Sequence, residues 1–344
     1  MENKETVCAV VVTYNRKKLL KECLEALIKQ TRPIQAIYLI DNASTDGTPD
    51  LLLEKDYIKE LPPKNLSKPW EKEFEIKNLT DEDTIKLYYV RMHENTGGAG
   101  GFHEGVKRGY ERGYDWLWLM DDDAEPKEDA LEKKLNQHIN KNVLVLADLK
   151  VGPDGRIQYK HRGYKNICNL KSNPIKPIGN NIGERTYIDH CSFVGFMVNR
   201  RGISLVGLPR KEFFIHYDDV EYSFRLRKVG KILLVKDSII IHKENASKNL
   251  ENKKVLFRKS KRIPYKSLWL HYYGFRNLIY LKKTECNILI ALLVGVLILL
   301  RNYIGILIYN DDHKFKRIRF FYNAFLDGLI GRFDNKKPKR LLYE

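Results

Sequence analysis

The amino-acid sequence predicts an α/β protein whose mostly parallel sheet is flanked by helices, and three observations lead to this prediction. Residues 7–12 and 36–40 are short apolar runs rich in β-strand formers, as expected of buried strands. Between them, apolar residues recur at helical spacing over residues 19–28. Strands that alternate with helices along the chain favour a parallel sheet with right-handed crossovers.

The later segments continue this alternation as far as residue 242. Residues 60–85 are charged and contain prolines, so we expect a surface excursion there. A glycine-rich loop at 95–101 should lead into a helix. The other predicted elements are a strand at 86–91, a helix at 102–113, a strand at 116–123, a helix near 127–140, a strand at 143–147, an apolar segment at 187–198, a short helix ending near 230, and strands at 232–235 and 239–242.

The positive charge of the chain is concentrated in its last hundred residues. The 344 residues carry a net charge of +17. Residues 246–344 contain 21 Lys and Arg against 7 Asp and Glu, which leaves about +3 for residues 1–245. We therefore predict a catalytic domain over 1–245 and a basic C-terminal region over 246–344. Such a region is typical of proteins that attach to an anionic partner, either a membrane surface or a nucleic acid.

Residues 288–309 are the most apolar part of the C-terminal region. Arg301 and Asn302 interrupt an apolar run that begins at Ile288. A membrane-spanning helix needs about 20 apolar residues, so this segment is borderline for a span. Basic residues flank it on both sides, whereas spanning helices usually have asymmetric flanks. We predict a helix that lies in the membrane interface; a spanning or re-entrant segment and a buried or oligomer-forming helix are the alternatives.

The cysteines and the first residues of the chain favour a cytoplasmic location for the catalytic domain. The five cysteines are scattered without a C-x-x-C pair, which argues against a zinc site or a disulfide framework. The first six residues are polar or charged after Met1 and lack the apolar region of a signal peptide. We therefore expect the protein at the cytoplasmic face of the cell membrane.

Asp121 and Asp123 are the first candidates for a metal site. If the strand from Trp116 continues through these carboxylates, both side chains lie on the same face of the sheet. Carboxylate oxygens suit Mg²⁺ or Mn²⁺. His242 ends a later predicted strand and could complete the ligand set. The alternative is that the carboxylates cap a helix that starts near Asp123.

Two further loops follow predicted strands, and the carboxyl ends of parallel strands form ligand sites. Asp41 could accept a hydrogen bond from a ribose hydroxyl or a uracil imide, although it could also simply start a turn. The glycines from Gly97 to Gly101 permit close approach of a ligand, and N–H groups at a helix start favour phosphate or sugar oxygens. The chain has no P-loop motif, and the glycine spacing is not that of a dinucleotide fold. Together these features predict a nucleotide-diphosphate site.

A second acidic cluster lies at Asp218, Asp219 and Glu221, at the predicted start of a short helix. Simple helix capping would also explain carboxylates at this position. His216 precedes the cluster, so His216, Asp218 and Glu221 are candidates for contacts with an acceptor substrate. A carboxylate is the usual general base for a sugar hydroxyl, and we assign that role to Asp219.

These motifs together resemble the inverting family 2 glycosyltransferases, which have the GT-A fold. The resemblance covers roughly residues 6–245, and a motif typical of processive synthases is replaced by Phe224-Arg-Leu-Arg227. The glycine-rich segment looks most like that of the galactofuranosyltransferase and rhamnosyltransferase branch. The matching segments are Val10-Val-Val-Thr-Tyr-Asn-Arg16, Asp41-Asn-Ala-Ser-Thr-Asp-Gly47, Asn95-Thr-Gly-Gly-Ala-Gly-Gly-Phe102, Met120-Asp-Asp-Asp123 and Tyr217-Asp-Asp-Val-Glu221.

The resemblance implies a role for each candidate residue. The nucleoside would contact Thr13, Asn15 and Asp41, and the donor site would be lined by Arg91, Asn95, Gly97, Gly98 and Asp122. Mn²⁺ or Mg²⁺ would be held by Asp121, Asp123 and His242. The catalytic base would be Asp219.

The predicted function is transfer of a sugar from a nucleotide-diphosphate donor to a glycan or lipid-linked glycan in cell-surface polysaccharide synthesis. On the resemblance, UDP-galactofuranose is the first choice of donor and dTDP-rhamnose the second.

Two other functions are alternatives. A nucleotidyltransferase would use the same paired carboxylates and metal. A nucleic-acid-binding protein would use the basic region, but the long apolar run fits such a role poorly, so we expect an anionic membrane surface and no nucleic acid as partner. The C-terminal region could also pair with a second copy of the chain.

Overall fold

The computed structural model describes residues 5–137, 140–180, 182, 183, 185–243, 251–255, 258–310 and 312–344. The chain divides into two units. Unit 1 is Met1–Tyr164, Pro177–Lys211 and Asp219–Lys243, and unit 2 is Lys165–Lys176, Glu212–Asp218 and Glu244–Glu344. The predicted domain boundary at 245 lies outside the described residues. Unit 2 includes two short segments that precede this boundary in the sequence.

Strands and helices alternate through most of unit 1, and helices dominate the last part of the chain. The strands are β1 (Val7–Thr13), β2 (Ala36–Asp41), β3 (Trp70–Lys77), β4 (Thr84–Arg91), β5 (Trp116–Asp121), β6 (Ala124–Pro126), β7 (Val143–Val151), β8 (Arg162–Lys165), β9 (Ile175–Pro177), β10 (Thr186–Ile188), β11 (His190–Cys191), β12 (Phe196–Asn199), β13 (Lys231–His242), β14 (Glu251–Val255) and β15 (Arg258–Arg262). The helices are α1 (Lys17–Ile28), α2 (Thr48–Glu54), α3 (Gly97–Glu111), α4 (Ala130–Leu135), α5 (Arg200–Val206), α6 (Asp218–Val229), α7 (Trp269–Glu285), α8 (Ile288–Tyr309), α9 (Lys314–Ile330) and α10 (Lys337–Tyr343).

Unit 1 is built on a mixed sheet to which the described residues contribute ten strands, in the order β10-β13-β7-β12-β5-β1-β2-β4-β3, with β6 paired to β13. β5, β1, β2 and β4 are parallel neighbours, and so are β7 and β13. β12 runs antiparallel between β5 and β7. Every residue of β1 and β2 is buried, because apolar clusters cover both faces of the sheet. The α/β prediction is therefore confirmed.

The predicted surface excursion at 60–85 is wrong in part, because Trp70–Lys77 forms the edge strand β3, antiparallel to β4. Within this strand only Phe74 is buried, and charged residues alternate around it. Trp70 and Ile76 also pack against the core, so apolar residues do alternate along β3, but charged residues outnumber them, as is typical of an edge strand.

The predicted glycine-rich loop is also corrected, because α3 begins at Gly97 and the glycines form its first turns. Glycine disfavours helices when packing does not intervene. In α3, however, a Cβ on Gly101 would lie 2.5 Å from Cγ1 of Val12, and one on Gly105 would collide with Val10. The absence of side chains therefore lets α3 pack directly on β1, and packing overrides the intrinsic preference.

Unit 2 contains helices α7 to α10, which pack around a core that includes Tyr272, Ile279 and Phe320. In α8, Gly295 faces the ring of Phe325, while most of the helix surface is exposed. By length and composition α8 could cross a membrane, with a mean hydropathy of 2.3 over an 18-residue window. Arg301, which interrupts the apolar run in the sequence, lies within α8.

Cys168 and Cys286 of unit 2 form a disulfide, with Cα atoms 5.6 Å apart. The expectation of unpaired cysteines is therefore wrong for these two residues, whereas Cys8, Cys23 and Cys191 are free and buried. The partners are separated by 118 residues, so their spacing carries no local signal.

Candidate functional site

The loops that follow β1, β2, β4 and β5 lie along one edge of the sheet in unit 1. The strand register pairs Thr13 with Asp41, Asp41 with Arg91, and Val12 with Asp121. Because these strands are parallel, their carboxyl ends coincide at this edge. The structure thus brings together four of the predicted site residues, which come from segments far apart in the sequence.

Asp41 is fully buried, and its own chain occupies both of its carboxylate oxygens. The Tyr89 hydroxyl donates to Oδ2 at 2.8 Å, and the Arg91 guanidinium forms an ion pair with the same atom. The backbone N–H of Ser44 donates to Oδ1 at 2.8 Å. Asp41 therefore holds Arg91 and the loop after β2 in place, and its direct contact with a nucleoside stays a prediction.

Asn42 joins the end of β2 to the start of α3, a role that the sequence analysis did not assign. Its Nδ2 donates to the Gly97 carbonyl at 2.9 Å and to Oδ1 of Asn95 at 3.1 Å. Its Oδ1 accepts hydrogen bonds from the N–H and hydroxyl of Thr96, both at 3.0 Å. A Cβ on Gly98 would meet nothing within 4 Å. This anchored helix start leaves open space at Gly98, which suits a ligand that approaches the backbone.

Thr13 and Asn15 link the loop after β1 to its neighbours. The Thr13 hydroxyl donates to Oδ2 of Asp122 at 2.7 Å. The Asn15 backbone N–H donates to the Ser44 hydroxyl at 3.0 Å, and its side-chain oxygen accepts from the Thr45 N–H at 2.6 Å. Asn15 has a φ of +56°, a conformation that Asn tolerates better than most residues.

The acidic triplet lies in a turn between two strands. β5 ends at Asp121, and β6 begins directly after Asp123 and pairs with β13. The argument from side-chain alternation therefore does not reach Asp123, and the helix-capping alternative is wrong because a strand follows. Arg16, to which the sequence analysis assigned no role, donates to Asp122 Oδ1 at 3.2 Å and to Asp123 Oδ2 at 3.1 Å.

His242 faces Asp123 because β13 pairs with β6, opposite Ala124. Its Nε2 lies 3.4 Å from Asp123 Oδ1, and that oxygen has no hydrogen-bond partner among the described residues. Gln158 donates its Nε2 to the His242 carbonyl at 3.3 Å, which turns its Oε1 toward His242 Nδ1 at 3.1 Å. Nδ1 then carries the proton, and the Nε2 lone pair faces a carboxylate oxygen, an arrangement that suits a cation between them.

The charges around this pair also favour a bound cation. Burial raises the pKa of Asp121, and the negative charges of Asp123 and Asp122 raise it further. Burial lowers the pKa of His242 to about 3, helped by the positive charges of Lys150 and Arg16, so the imidazole is neutral as a metal ligand requires.

Lys150 is a further site residue that the sequence analysis missed. It is only 2% exposed on β7, and its charge interacts with Asp121, Asp123 and Asp219. Burial lowers its pKa to about 7. The available signal was a lysine near the end of a strand whose other residues, apart from Asp148, are apolar.

The predicted metal ligands Asp121, Asp123 and His242 differ in how well their side chains are placed to hold an ion. Within the described ranges, no group of three or more His, Cys, Asp and Glu side chains is arranged to hold a metal ion. Asp123 and His242 form a pair that fits one, with an orphaned oxygen and a neutral imidazole. Asp121 adds negative charge to that environment, and its direct ligation stays a prediction.

Asp219, the predicted base, is the second residue of α6. Its Oδ2 lies 3.5 Å from Nε2 of buried His190, and its Oδ1 accepts from the Val220 N–H at 2.7 Å. Burial alone would raise the pKa of Asp219, but the nearby His190 imidazole and the hydrogen bond from the Val220 N–H outweigh it and lower this pKa below its ordinary value. Asp219 is therefore ionised and able to accept a proton. Because 29 residues separate the two, no local motif indicates His190.

The acceptor-side candidates differ in their surroundings. Both oxygens of Glu221 accept from the Arg225 guanidinium, at 2.7 and 2.8 Å, and Arg210 donates to Oε1 at 3.2 Å. These ion pairs indicate a structural role for Glu221. Asp218 is buried, whereas His216 is exposed.

Residues 212–218, which we call the acceptor-side loop, have an unusual backbone. Phe214, His216 and Tyr217 have φ values of +64°, +69° and +65°. Left-handed backbone at a residue other than glycine costs roughly 1–3 kcal/mol, and it persists only where neighbouring structure enforces it. The loop therefore depends on contacts from outside its own sequence.

The sequence was compared with known families, curated proteins and solved structures. The model described as Glycosyl transferase family 2 matches residues 8–65 and 73–204. Galactofuranosyltransferase GlfT1 of Mycolicibacterium smegmatis is 25% identical over 233 residues, which are 67% of this chain and 68% of that protein. The dTDP-rhamnosyl transferase RfbF of Shigella flexneri is 23% identical over 253 residues, 72% of this chain and 80% of that protein.

Among solved structures, GalNAc-T7 with UDP, GalNAc and Mn²⁺ superposes with a TM-score of 0.51 at 16% identity. The match covers 72% of this chain and 45% of the GalNAc-T7 chain, so the present chain spans less than half of that protein. At this identity the likeness concerns the fold alone.

Proposed function

The chain belongs to glycosyl transferase family 2 and is a glycosyltransferase, and on this premise we propose that it transfers a sugar from a nucleotide-diphosphate donor to a hydroxyl of a glycan or lipid-linked glycan. The observation that supports this proposal most is the common sheet edge of Thr13, Asp41, Arg91 and Asp121. A nucleotide-binding edge built from strand-end loops suits a donor of this class. The acceptor would belong to a cell-surface polysaccharide.

Galactofuranose is the first choice of sugar and rhamnose the second. The curated relatives named for these two activities support this order, at 25% and 23% identity. UDP is the corresponding nucleotide for the first choice. The open space at Gly98, beside the anchored start of α3, supports a donor site at that point.

The proposed metal is Mn²⁺ or Mg²⁺, held by Asp123 and His242 with Asp121 nearby. When bound, the ion would offset the negative charge of the departing nucleoside diphosphate. Lys150, Arg16 and Arg91 supply positive charge from the chain itself. Gln158 keeps the Nε2 lone pair of His242 directed at Asp123.

Asp219 is the proposed general base for a single displacement. It removes the proton from the acceptor hydroxyl while the hydroxyl oxygen forms a bond to the anomeric carbon. The bond from that carbon to the diphosphate oxygen breaks, and the anomeric configuration inverts. His190 supports this role because it lowers the pKa of Asp219 and keeps the carboxylate ionised.

A panel of nucleotide sugars tests the proposed function. With Mn²⁺ and a glycan acceptor, we expect release of UDP from UDP-galactofuranose at a rate at least ~10 times that from other donors. The measurement is coupled detection of nucleoside diphosphate, with mass spectrometry of the extended acceptor. Release of pyrophosphate in place of nucleoside diphosphate would show a nucleotidyltransferase and contradict the proposal. Faster turnover of dTDP-rhamnose would select the second donor.

We further propose that α8 attaches the protein to an anionic membrane while lying in the interface plane. Leu289, Leu293, Leu297 and Ile304 are exposed, and so are the basic residues Arg301, Lys316 and Arg319 of α8 and α9. An exposed apolar face with basic neighbours complements anionic lipid. The opposite side of α8 packs on α7 and α9, whose buried Arg276 and Arg317 would be costly in hydrocarbon if the helices spanned together.

Vesicle flotation tests this attachment. The full chain should float with vesicles of anionic lipid at least ~10 times better than with neutral vesicles, since each well-placed cation contributes about 1 kcal/mol. The double change Leu293→Glu and Leu297→Glu should abolish flotation. Leu205→Glu, at an exposed leucine of α5, is the matched control and should leave it unchanged. A stable dimer that binds neither vesicle would contradict the proposal and favour self-pairing.

A further inference from the structure

The acceptor-side loop receives a dense set of hydrogen bonds from two adjacent residues of α7. Asn277 donates its single amide group to the carbonyls of Phe213, Ile215 and His216, at 3.0, 3.1 and 2.9 Å. Arg276 donates Nη2 to the carbonyls of Glu212 and Phe213, both at 3.1 Å. Four of the seven loop residues thus have their carbonyl oxygens bound by α7.

Arg276 and Asn277 are themselves fixed in orientation. Both are fully buried. The Arg276 Nε donates to Oδ1 of Asn277 at 2.9 Å, and its Nη1 donates to Oδ1 of Asn335 at 3.0 Å. The amide of Asn277 is thereby oriented with its N–H groups toward the loop.

Residues of α7 also pack against the acceptor-side loop, in addition to donating hydrogen bonds to it. The Phe214 ring stacks on Tyr273 with centroids 4.6 Å apart. The His216 imidazole lies over Gly274, where an added Cβ would be 3.5 Å from ring atom Cδ2. One turn of α7 therefore holds both of these left-handed residues of the loop, Phe214 and His216.

A purely structural role would require only that Arg276 and Asn277 satisfy their own polar atoms in the helical core. The pattern of partners goes further, because every hydrogen bond that the Asn277 amide donates to a described residue ends on the acceptor-side loop. The loop conformation is unfavourable for its own residues, so these bonds determine its shape. In sequence the loop carries His216 and Asp218 and is followed directly by Asp219.

We propose that Asn277 and Arg276 are positioning residues of the acceptor site, which hold the acceptor-side loop in the shape that receives the acceptor glycan. The C-terminal region then contributes to acceptor recognition in addition to membrane attachment. This inference rests on the proposed sugar transfer for its kinetic consequence, but the positioning of the loop can be measured independently of activity.

The first test is hydrogen–deuterium exchange of the full chain. In Asn277→Ala, peptides that cover residues 212–218 should exchange at least ~10 times faster than in the unmodified chain, with little change in the sheet of unit 1. Arg276→Lys should give the same local pattern, because lysine keeps the charge but lacks the planar fork. Asn323→Ala is the matched control, since among the described residues the Asn323 amide donates only to the Arg319 carbonyl within α9. Unchanged exchange at 212–218 in both variants would overturn the proposal.

The second test separates acceptor binding from donor binding. Asn277→Ala should raise the acceptor KM at least ~5-fold and shift the balance from transfer toward donor hydrolysis, while the donor KM changes less than ~2-fold. A parallel loss of transfer and hydrolysis, with an unchanged acceptor KM, would overturn the role in acceptor recognition. If the exchange result is obtained but the unmodified chain transfers no sugar, the proposed function fails and the positioning of the loop by α7 stands.

Discussion

Replacement of Asp219 with Asn should lower kcat for sugar transfer by at least ~100-fold and leave donor affinity within about twofold, because general base catalysis typically contributes 10²–10⁴-fold. The amide has nearly the volume of the carboxylate but cannot accept the hydroxyl proton. Donor affinity is measured by calorimetry with the nucleoside diphosphate. Asp154→Asn, at an exposed carboxylate in a surface turn, is the matched control and should retain normal turnover. Near-normal turnover in Asp219→Asn would show that another group removes the proton.

The pH profile provides a second measurement of the same role. His190 lowers the pKa of Asp219 below its ordinary value of 3.8, so in the unmodified chain the base should lose activity only below about pH 4. His190→Leu removes the imidazole whose Nε2 lies 3.5 Å from Asp219 Oδ2 but keeps the burial that raises this pKa. The acid limb of kcat/KM should then move to higher pH. A limb that does not move would contradict the pairing of His190 with the base.

Replacement of Asp123 with Ala should weaken Mn²⁺ binding by at least ~100-fold, because loss of an outer-shell partner alone typically costs 10–100-fold. Oδ1 of Asp123 faces the lone pair of His242 Nε2 at 3.4 Å and has no other hydrogen-bond partner in the described parts of the chain. The measurement is the paramagnetic resonance signal of free Mn²⁺ titrated with protein, without substrate. This readout does not depend on turnover.

Asp122→Asn is the control for this metal prediction. Thr13 and Arg16 bind the Asp122 oxygens, so its replacement should change Mn²⁺ affinity less than ~5-fold. In the unmodified chain, a chelator should stop transfer, and added Mn²⁺ should restore it. Full activity in excess chelator, or equal metal affinity in Asp123→Ala and the unmodified chain, would contradict a metal at Asp123 and His242.

The sheet could be predicted where the sequence patterns are strong. β1, β2 and β5 are buried on both faces and therefore read as continuous apolar runs, and α1 shows helical spacing between two of them. β3 was missed because five of its eight residues are charged, although Trp70, Phe74 and Ile76 alternate along it and contact the core. The start of α3 was missed because its glycines are selected by contact with β1, and single-sequence propensity contains no information about that contact.

The sequence allowed a physical prediction mainly for those site residues that lie at the ends of recognisable strands. Thr13, Asp41 and Asp121 follow or end recognisable strands, and the parallel register brings them together. Asp123 meets His242 for a different reason, the pairing of β6 with β13, although both residues were expected. His190, Gln158 and Asn277 act on residues that are 29, 84 and at least 61 positions away in the sequence. Their roles depend on tertiary packing alone.

The attachment of the acceptor-side loop to α7 affects how this enzyme can be re-engineered. An exchange of residues 212–218 for those of a relative would leave the Asn277 and Arg276 donors facing carbonyls whose positions they no longer match. A chimera intended to accept a new glycan should therefore transplant the loop together with α7. Recombination between relatives would be limited in the same way, because crossovers between residues 218 and 276 would separate segments that must be inherited together.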